Sequence, residues 1–273
     1  MSYRNKKRLI LACITMMFCA LFYWVNMTFI HDMLSPLYFS GWSLLSITLL
    51  LIAFNLRKKL SFIPIGSAYF WAQLHIYFGF LMGFIFLLHI DYAIPNGFLE
   101  LSLATIFIIT FISGIFGLIL SRWLPRIMRQ HSETVIYERI PSLKSRLIAE
   151  AENGFQESIK NDSEKVLLDF YSDAALPFLH NTNSHWSHLW NSRKEYVNWN
   201  NKLDALRHFL NETEIASLES LKQLIYQKIS LDTQYVGRSL LRNWLLVHIP
   251  LSYCLLLLAL LHLVLVYGFA EAV

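Results

Sequence analysis

The sequence predicts an all-α fold: an integral membrane bundle of five transmembrane helices, with a helical cytoplasmic insert between the fourth and the fifth. The 273-residue chain is 55% hydrophobic and only 15% charged, whereas soluble domains average about 25% charged residues. Five apolar runs are long enough to cross a hydrocarbon core of about 30 Å, and a polar stretch separates the last two. The runs cover residues 9–30, 38–56, 68–90, 99–120 and 244–269.

The basic residues predict the orientation of these spans. All 23 Lys and Arg residues fall at the N-terminus, in the 57–59 loop, or in the segment from Arg122 to Arg242. The opposite loops and the C-terminal tail contain none. Because Lys and Arg are retained in cytoplasmic loops, the N-terminus and the polar segment are predicted to be cytoplasmic and the C-terminus periplasmic, in a bacterial inner membrane. The net charge of +4 then reflects the basic residues of the cytoplasmic side of the membrane. We find no nucleic-acid-binding pattern.

The predicted organisation has three parts: membrane helices one to four (1–121), the cytoplasmic insert (122–243), and the fifth helix with the external C-terminus (244–273). Leucines and isoleucines recur at helical intervals in 142–153 and 214–229 of the insert. Pro141 and Pro177 mark breaks between its helices. We therefore expect the insert to be mostly helical.

The sequence lacks the motifs of covalent haem attachment, cysteine-ligated clusters and nucleotide binding. Cys13, Cys19 and Cys254 all lie in apolar runs, without a CxxC or CxxCH pattern, which argues against covalent haem or a cysteine-ligated cluster. GxGxxG and P-loop patterns are also absent, so the insert does not resemble a flavin or nicotinamide domain. We single out no catalytic residue.

Four histidines carry the functional prediction. His75 and His89 lie in the third span and His248 and His262 in the last, each pair fourteen residues apart. Fourteen residues make about 3.9 helical turns, which places both imidazoles of a helix near one face and about 21 Å apart along its axis. By the predicted topology His75 faces His248 at the cytoplasmic depth, and His89 faces His262 at the outer depth.

Two levels of paired imidazoles suit two b-type haems, each taking one iron ligand from each helix. A zinc site would need three or four ligands at one point, which this spacing does not provide. Iron with two axial imidazoles has no open position for oxygen chemistry, so the expected role is electron transfer. The alternative from another class is a haem-free transporter or scaffold whose histidines bind metal or relay protons.

Gly79 and Gly83 lie between the histidines of the third span. Small residues there would leave room for a macrocycle, although close helix packing also uses glycine. Arg242, six residues before His248, is the favoured partner for a haem propionate.

Other basic residues on the same side offer weaker alternatives: Arg57, Lys58, Arg122 and Arg238. The histidines at 180, 185 and 188 are interpreted as a solvated surface. Asp91 either orients His89 or is an ordinary interfacial acid.

The runs WAQLHIYFG at 71–79, followed by His89, and LRNWL at 241–245 with HIPL at 248–251, followed by His262, resemble bacterial dihaem membrane cytochromes b. The arrangement is also similar to ferric-reductase-like transmembrane domains, which carry paired histidines on the third and fifth spans. The resemblance covers spans two to five and implies the same four haem ligands here. The insert departs from the broad pattern, and the flavin and nicotinamide module of ferric reductases is missing.

These observations lead us to expect the cytochrome b subunit of an oxidoreductase complex, of the quinol oxidase, quinol reductase or metal reductase type. It would relay electrons between a quinone pool or a cytoplasmic donor and an external redox partner. Expected partners are membrane lipid, quinone or quinol, and redox subunits such as a cytochrome c, an iron–sulfur protein or a flavoprotein. No residue identifies a quinone pocket.

Overall fold

The computed structural model describes residues 3–31, 36–59, 67–128, 136–160, 165–181 and 187–269. These residues are almost entirely helical and contain no strand, which confirms the predicted all-α class. A 3-10 turn, Tyr137–Arg139, precedes α5, and a π-helical turn, Tyr171–Ala175, joins α6 to α7. The α-helices of the described residues are α1 (Tyr3–His31), α2 (Pro36–Lys59), α3 (Ala68–His89), α4 (Phe98–Met128), α5 (Ile140–Lys160), α6 (Lys165–Phe170), α7 (Leu176–His180), α8 (Ser187–Arg207) and α9 (Glu212–Phe269).

In the described part of the chain, five helices are long and apolar enough to span a membrane: α1, α2, α3, α4 and α9. Two of them run well beyond the predicted spans, because α4 continues to Met128 and α9 begins at Glu212. Glu214 caps the start of α9, where its carboxylate accepts a hydrogen bond of 2.9 Å from the backbone N–H of Asn211. No proline follows until Pro250, so the helix of 214–229 continues unbroken into the last apolar run.

The chain divides into two compact units, residues 1–118 with 245–273, and residues 119–244. The second comprises nearly the same residues as the predicted insert. In the first unit, α2, α3, α4 and α9 contribute to one apolar cluster, in which the rings of Phe86 and Phe107 stack with centroids 3.9 Å apart. Its buried members are Met82, Phe86, Ala104, Phe107 and Leu255.

Both ends of α3 are defined by local hydrogen bonds. The Ser67 hydroxyl accepts a hydrogen bond from the backbone N–H of Phe70 at the N-terminus. At the other end, the N–H of Tyr92 bonds the carbonyl of Leu87 at 3.1 Å, as in a Schellman motif. Asp91 and Tyr92 adopt positive φ values of 51° and 54°, the left-handed region that glycine usually occupies. This turn ends α3 directly after His89.

The second unit has its own apolar core, to which α5, α6, α7, α8, α9 and the π-helical turn contribute. Leu218, Leu221 and Ile225, which belong to the periodic stripe of the sequence, are fully or almost fully buried there. The second unit also contains a buried ion-pair group. Lys228 Nζ lies 2.7 Å from the Asp232 carboxylate, and Lys144, which belongs to α5, pairs with the same carboxylate. Pro141 and Pro177 lie in the first turns of α5 and α7, where proline is compatible with a helix.

Candidate functional site

The structure brings the four predicted histidines together in two pairs. His75 interacts electrostatically with His248, and His89 with His262. All four side chains are partly buried. Since α3 carries one member of each pair and α9 the other, the pairs form two levels about 21 Å apart along the helices.

His89 is held by two neighbouring residues of α2. Its Nδ1 lies 2.8 Å from the Ser40 hydroxyl, and a Cβ added at Gly41 would lie 3.3 Å from its Cε1. The same hydroxyl lies 2.9 Å from the backbone carbonyl oxygen of Pro36 and 3.1 Å from that of Leu37. A serine has one hydrogen to donate, so when it donates to one of these carbonyls its oxygen accepts from the N–H at Nδ1 of His89. In that tautomer the lone pair of the imidazole is on Nε2, the nitrogen available to a metal.

A cavity of about 530 Å³ is lined by His89 and His262 together. This volume falls in the range of about 300–1,000 Å³ that is typical of small-molecule and cofactor sites. Most of its wall is apolar and includes the Met82, Phe86 and Leu255 side chains. The cavity can therefore hold a flat apolar group between the two imidazoles.

Polar groups lie at the same cavity. Asp91 and Glu100 line it, and Glu100 interacts electrostatically with His89. Trp42 and Tyr267 also line this cavity, where the Trp42 indole N–H donates to the Tyr267 hydroxyl at 3.0 Å and so links α2 to α9. This cavity thus combines imidazoles, carboxylates and amphipathic aromatic side chains.

His248 has surroundings similar to those of His89. Its Nδ1 lies 3.2 Å from the Ser113 hydroxyl of α4, and a Cβ at Gly114 would lie 3.7 Å from its Cε1. Its counterpart His75 interacts electrostatically with the backbone of Leu51 in α2. His248 is therefore oriented by a group on a neighbouring helix.

The two glycines singled out in α3 have different surroundings. A Cβ at Gly79 would meet nothing within 4 Å, so there is open space beside it one helical turn after His75. A Cβ at Gly83 would lie 2.6 Å from Phe111 Cε2. Close packing of α3 against α4 accounts for Gly83, whereas Gly79 leaves room for a ligand.

Arg242 belongs to the second unit, where it interacts with the Tyr137 hydroxyl. The hydrogen bonds of Tyr137 with Ser239 and Tyr235, and to a smaller extent the positive charge of Arg242, hold the pKa of Tyr137 below its ordinary value. Arg242 as a propionate partner stays a prediction. Of the weaker basic candidates, Arg122 is exposed, while the side chains of Arg57 and Lys58 lie outside the described part of the chain.

The surface histidines do not form a described cluster. His180 Nε2 lies 3.1 Å from a carboxylate oxygen of Glu152, and both side chains are about half exposed. His185 and the side chain of His188 lie outside the described residues. The acidic neighbour of His180 was not expected from the sequence.

Four residues around the histidines were missed or undervalued at the sequence level: Ser40, Gly41, Ser113 and Gly114. A repeated signal was present, because both sites use a Ser-Gly dipeptide within an apolar helix. Glu100 was also missed, since its proximity to His89 depends on the turn that joins α3 to α4.

The donor set of the paired histidines is two imidazoles at each level. Within the described residues, no group of three or more His, Cys, Asp or Glu side chains could hold a metal. A haem brings four nitrogen ligands of its own and needs only two axial side chains, which each histidine pair can provide. No protein family model matches this chain, and no curated protein or solved structure matches it.

Proposed function

We propose that this protein is a membrane electron-transfer subunit that binds two b-type haems. His75 and His248 would ligate one iron, and His89 and His262 the other. The observation that carries this proposal is the pairing of the four imidazoles at two levels. A cofactor-sized cavity lies at the level of His89 and His262.

Iron with two imidazole ligands supplies one-electron redox chemistry without a free coordination position. The residues of the chain hold and insulate the sites. Ser40 and Ser113 orient His89 and His248, and the buried Met82 and Leu255 fill the layer between the two levels with apolar side chains. An apolar, fixed environment of this kind limits reorganisation around the cofactors and tunes their potentials.

The five apolar helices support insertion in a membrane, and we assign a bacterial inner membrane to them. The distribution of Lys and Arg supports a cytoplasmic N-terminus and second unit, with a periplasmic C-terminus. His75 and His248 then lie on the cytoplasmic side, and His89 and His262 on the periplasmic side. Electrons would pass between a quinone pool or cytoplasmic donor and an external redox partner.

A labelling experiment tests this orientation. The three native cysteines are first replaced by alanine, at positions 13, 19 and 254. A single new cysteine is then introduced, either Asn96→Cys in the loop before α4 or Ser172→Cys in the second unit. A membrane-impermeant maleimide should label the Asn96→Cys protein in intact cells, and the Ser172→Cys protein only after permeabilisation. The reverse pattern would contradict the proposed orientation.

Haem binding is tested by the reduced-minus-oxidised absorption spectrum and a pyridine haemochrome assay of the purified protein. We expect an α-band of a b-type cytochrome and two haems per chain. Replacing His75 or His248 with Ala should remove one haem, whereas His208→Ala in the exposed turn before α9 should remove none. Absence of an α-band, or a haem count unaffected by His75→Ala and His248→Ala, would refute the proposal.

A haem-free role in proton relay is the second candidate, and the carboxylates beside His89 favour it. It predicts a colourless, folded protein in which Glu100→Gln abolishes proton flux in liposomes. A protein with two haems whose spectrum survives Glu100→Gln favours electron transfer.

A further inference from the structure

One dipeptide, Ser-Gly, recurs beside a histidine of each level. Ser40-Gly41 of α2 contacts His89, and Ser113-Gly114 of α4 contacts His248. In both cases the serine hydroxyl bonds Nδ1 and the glycine Cα faces Cε1 of the same ring. The two dipeptides lie on different helices and at different levels, so adjacency in the chain does not explain the match.

We infer that Ser40-Gly41 and Ser113-Gly114 are positioning elements for His89 and His248, which turn Nε2 of each imidazole toward its iron. This inference rests on the proposed function. The serine fixes the ring by its Nδ1 side, and the glycine lets the ring edge approach the helix backbone. Each level then contains one imidazole positioned by a Ser-Gly dipeptide and one from the opposite helix.

The hydrogen bond from the Ser40 hydroxyl to its own helix backbone determines how Ser40 affects the basicity of the His89 imidazole. When this hydroxyl donates to Pro36 or Leu37, its oxygen accepts from Nδ1 of His89. A hydrogen bond accepted from the second nitrogen makes an imidazole a more basic ligand, which favours the ferric state. Loss of the serine should raise the midpoint potential of the haem concerned.

The test measures haem content, electron paramagnetic resonance spectra and midpoint potentials of Ser40→Ala and Ser113→Ala in the purified full-length protein. Variants in an orienting hydrogen bond typically lose about 10- to 100-fold in affinity at a metal centre. We expect such a weakening and a raised potential at the His89 haem in Ser40→Ala, and at the His248 haem in Ser113→Ala, with the other haem unchanged. Ser40→Thr should restore the wild-type potential because it keeps the hydroxyl.

Matched controls separate this effect from general damage to the helices. Ser46→Ala in α2 and Ser102→Ala in α4 each remove a hydroxyl that, among the described residues, bonds its own helix backbone four residues earlier. Both controls should leave the two potentials at wild-type values. Equal shifts in Ser46→Ala and Ser40→Ala would overturn the inference.

Alanine substitutions at Gly41 and Gly114 test the inference further, because the two added methyl groups would approach their histidines to different distances. Gly41→Ala would bring a methyl group to 3.3 Å from His89, tighter than ordinary van der Waals contact, whereas Gly114→Ala would leave 3.7 Å beside His248. We expect Gly41→Ala to perturb its haem spectrum more than Gly114→Ala does. An unchanged spectrum in both Gly41→Ala and Ser40→Ala, in a protein that holds two haems, would overturn the inference and leave the proposed function standing. A wild-type protein without haem would instead refute the proposed function.

Discussion

Met82 and Leu255 occupy equivalent positions on α3 and α9: each lies seven residues from both histidines of its helix, and both belong to one buried cluster. Seven residues bring a side chain back to nearly the same helical face. The two side chains therefore lie in the layer that separates the two histidine levels. Their exposed fractions are only 7% and 6%.

Truncation of this layer should lower stability. We expect Met82→Ala and Leu255→Ala each to reduce the free energy of unfolding by about 2–5 kcal/mol, through lost contacts and a cavity. Met82→Leu should cost less than about 1.5 kcal/mol because it nearly conserves volume. Denaturant unfolding in detergent measures these values, and an equal loss for Met82→Leu and Met82→Ala would contradict the packing described.

The glycines of α3 should respond in opposite ways to alanine. Gly83→Ala must displace Phe111, and overpacking of this kind costs about 1–3 kcal/mol. Gly79→Ala meets open space, so it should raise the stability of the haem-free protein by up to about 1 kcal/mol through helix propensity. If the space holds a macrocycle, the same variant should lower haem content. Unfolding and haem assays on both variants check this contrast, and an unchanged haem content in Gly79→Ala would contradict the role assigned to that space.

The buried ion pair of the second unit should be essential to its stability. Asp232→Ala leaves Lys228 and Lys144 without their shared carboxylate, and loss of one partner from a buried pair costs about 3–5 kcal/mol. Asp204→Ala is a matched control, because its pair with Lys222 lies at the surface and the Asp204 side chain is 53% exposed. Such pairs contribute about 0–1 kcal/mol. Chemical unfolding should show this difference, and similar losses in the two variants would contradict it.

High pH should destabilise the second unit through Tyr171. Burial, with a smaller effect of the Glu157 carboxylate, raises the pKa of Tyr171 to about 12, whereas an unfolded tyrosine ionises near pH 10. Below about pH 10 the phenol is neutral in both states, and its contribution to stability is complete. Between about pH 10 and 12 only the unfolded state loses the proton, so stability falls as pH rises.

The variant Tyr171→Phe should show a shallower loss of stability over this alkaline range, as measured by denaturant unfolding at a series of pH values. Tyr92→Phe, which changes an exposed tyrosine, is the control. Identical pH profiles for Tyr171→Phe and the wild-type protein would contradict this explanation.

The helical class and the five apolar helices follow from composition and hydropathy, which act over long windows and need no tertiary information. The continuity of α9 was not predicted, because the insert helix and the last span were treated as separate segments although no proline divides them. The histidine pairs follow from helical spacing. The serines that orient them do not, since Ser43 and Ser46 bond their own helix backbone just as Ser40 does. Only the position of α2 against α3 distinguishes Ser40 from its neighbours.

The central claim is that haem ligands pair by level and not by helix, and the haem count of two double variants tests it most directly. His89→Ala with His262→Ala removes both ligands of one level, so we predict that one haem per chain remains. His75→Ala with His89→Ala removes one ligand from each level, so we predict that none remains. One haem in the variant His75→Ala with His89→Ala would contradict pairing by level. So would the loss of both haems in the variant His89→Ala with His262→Ala, if that protein stays folded.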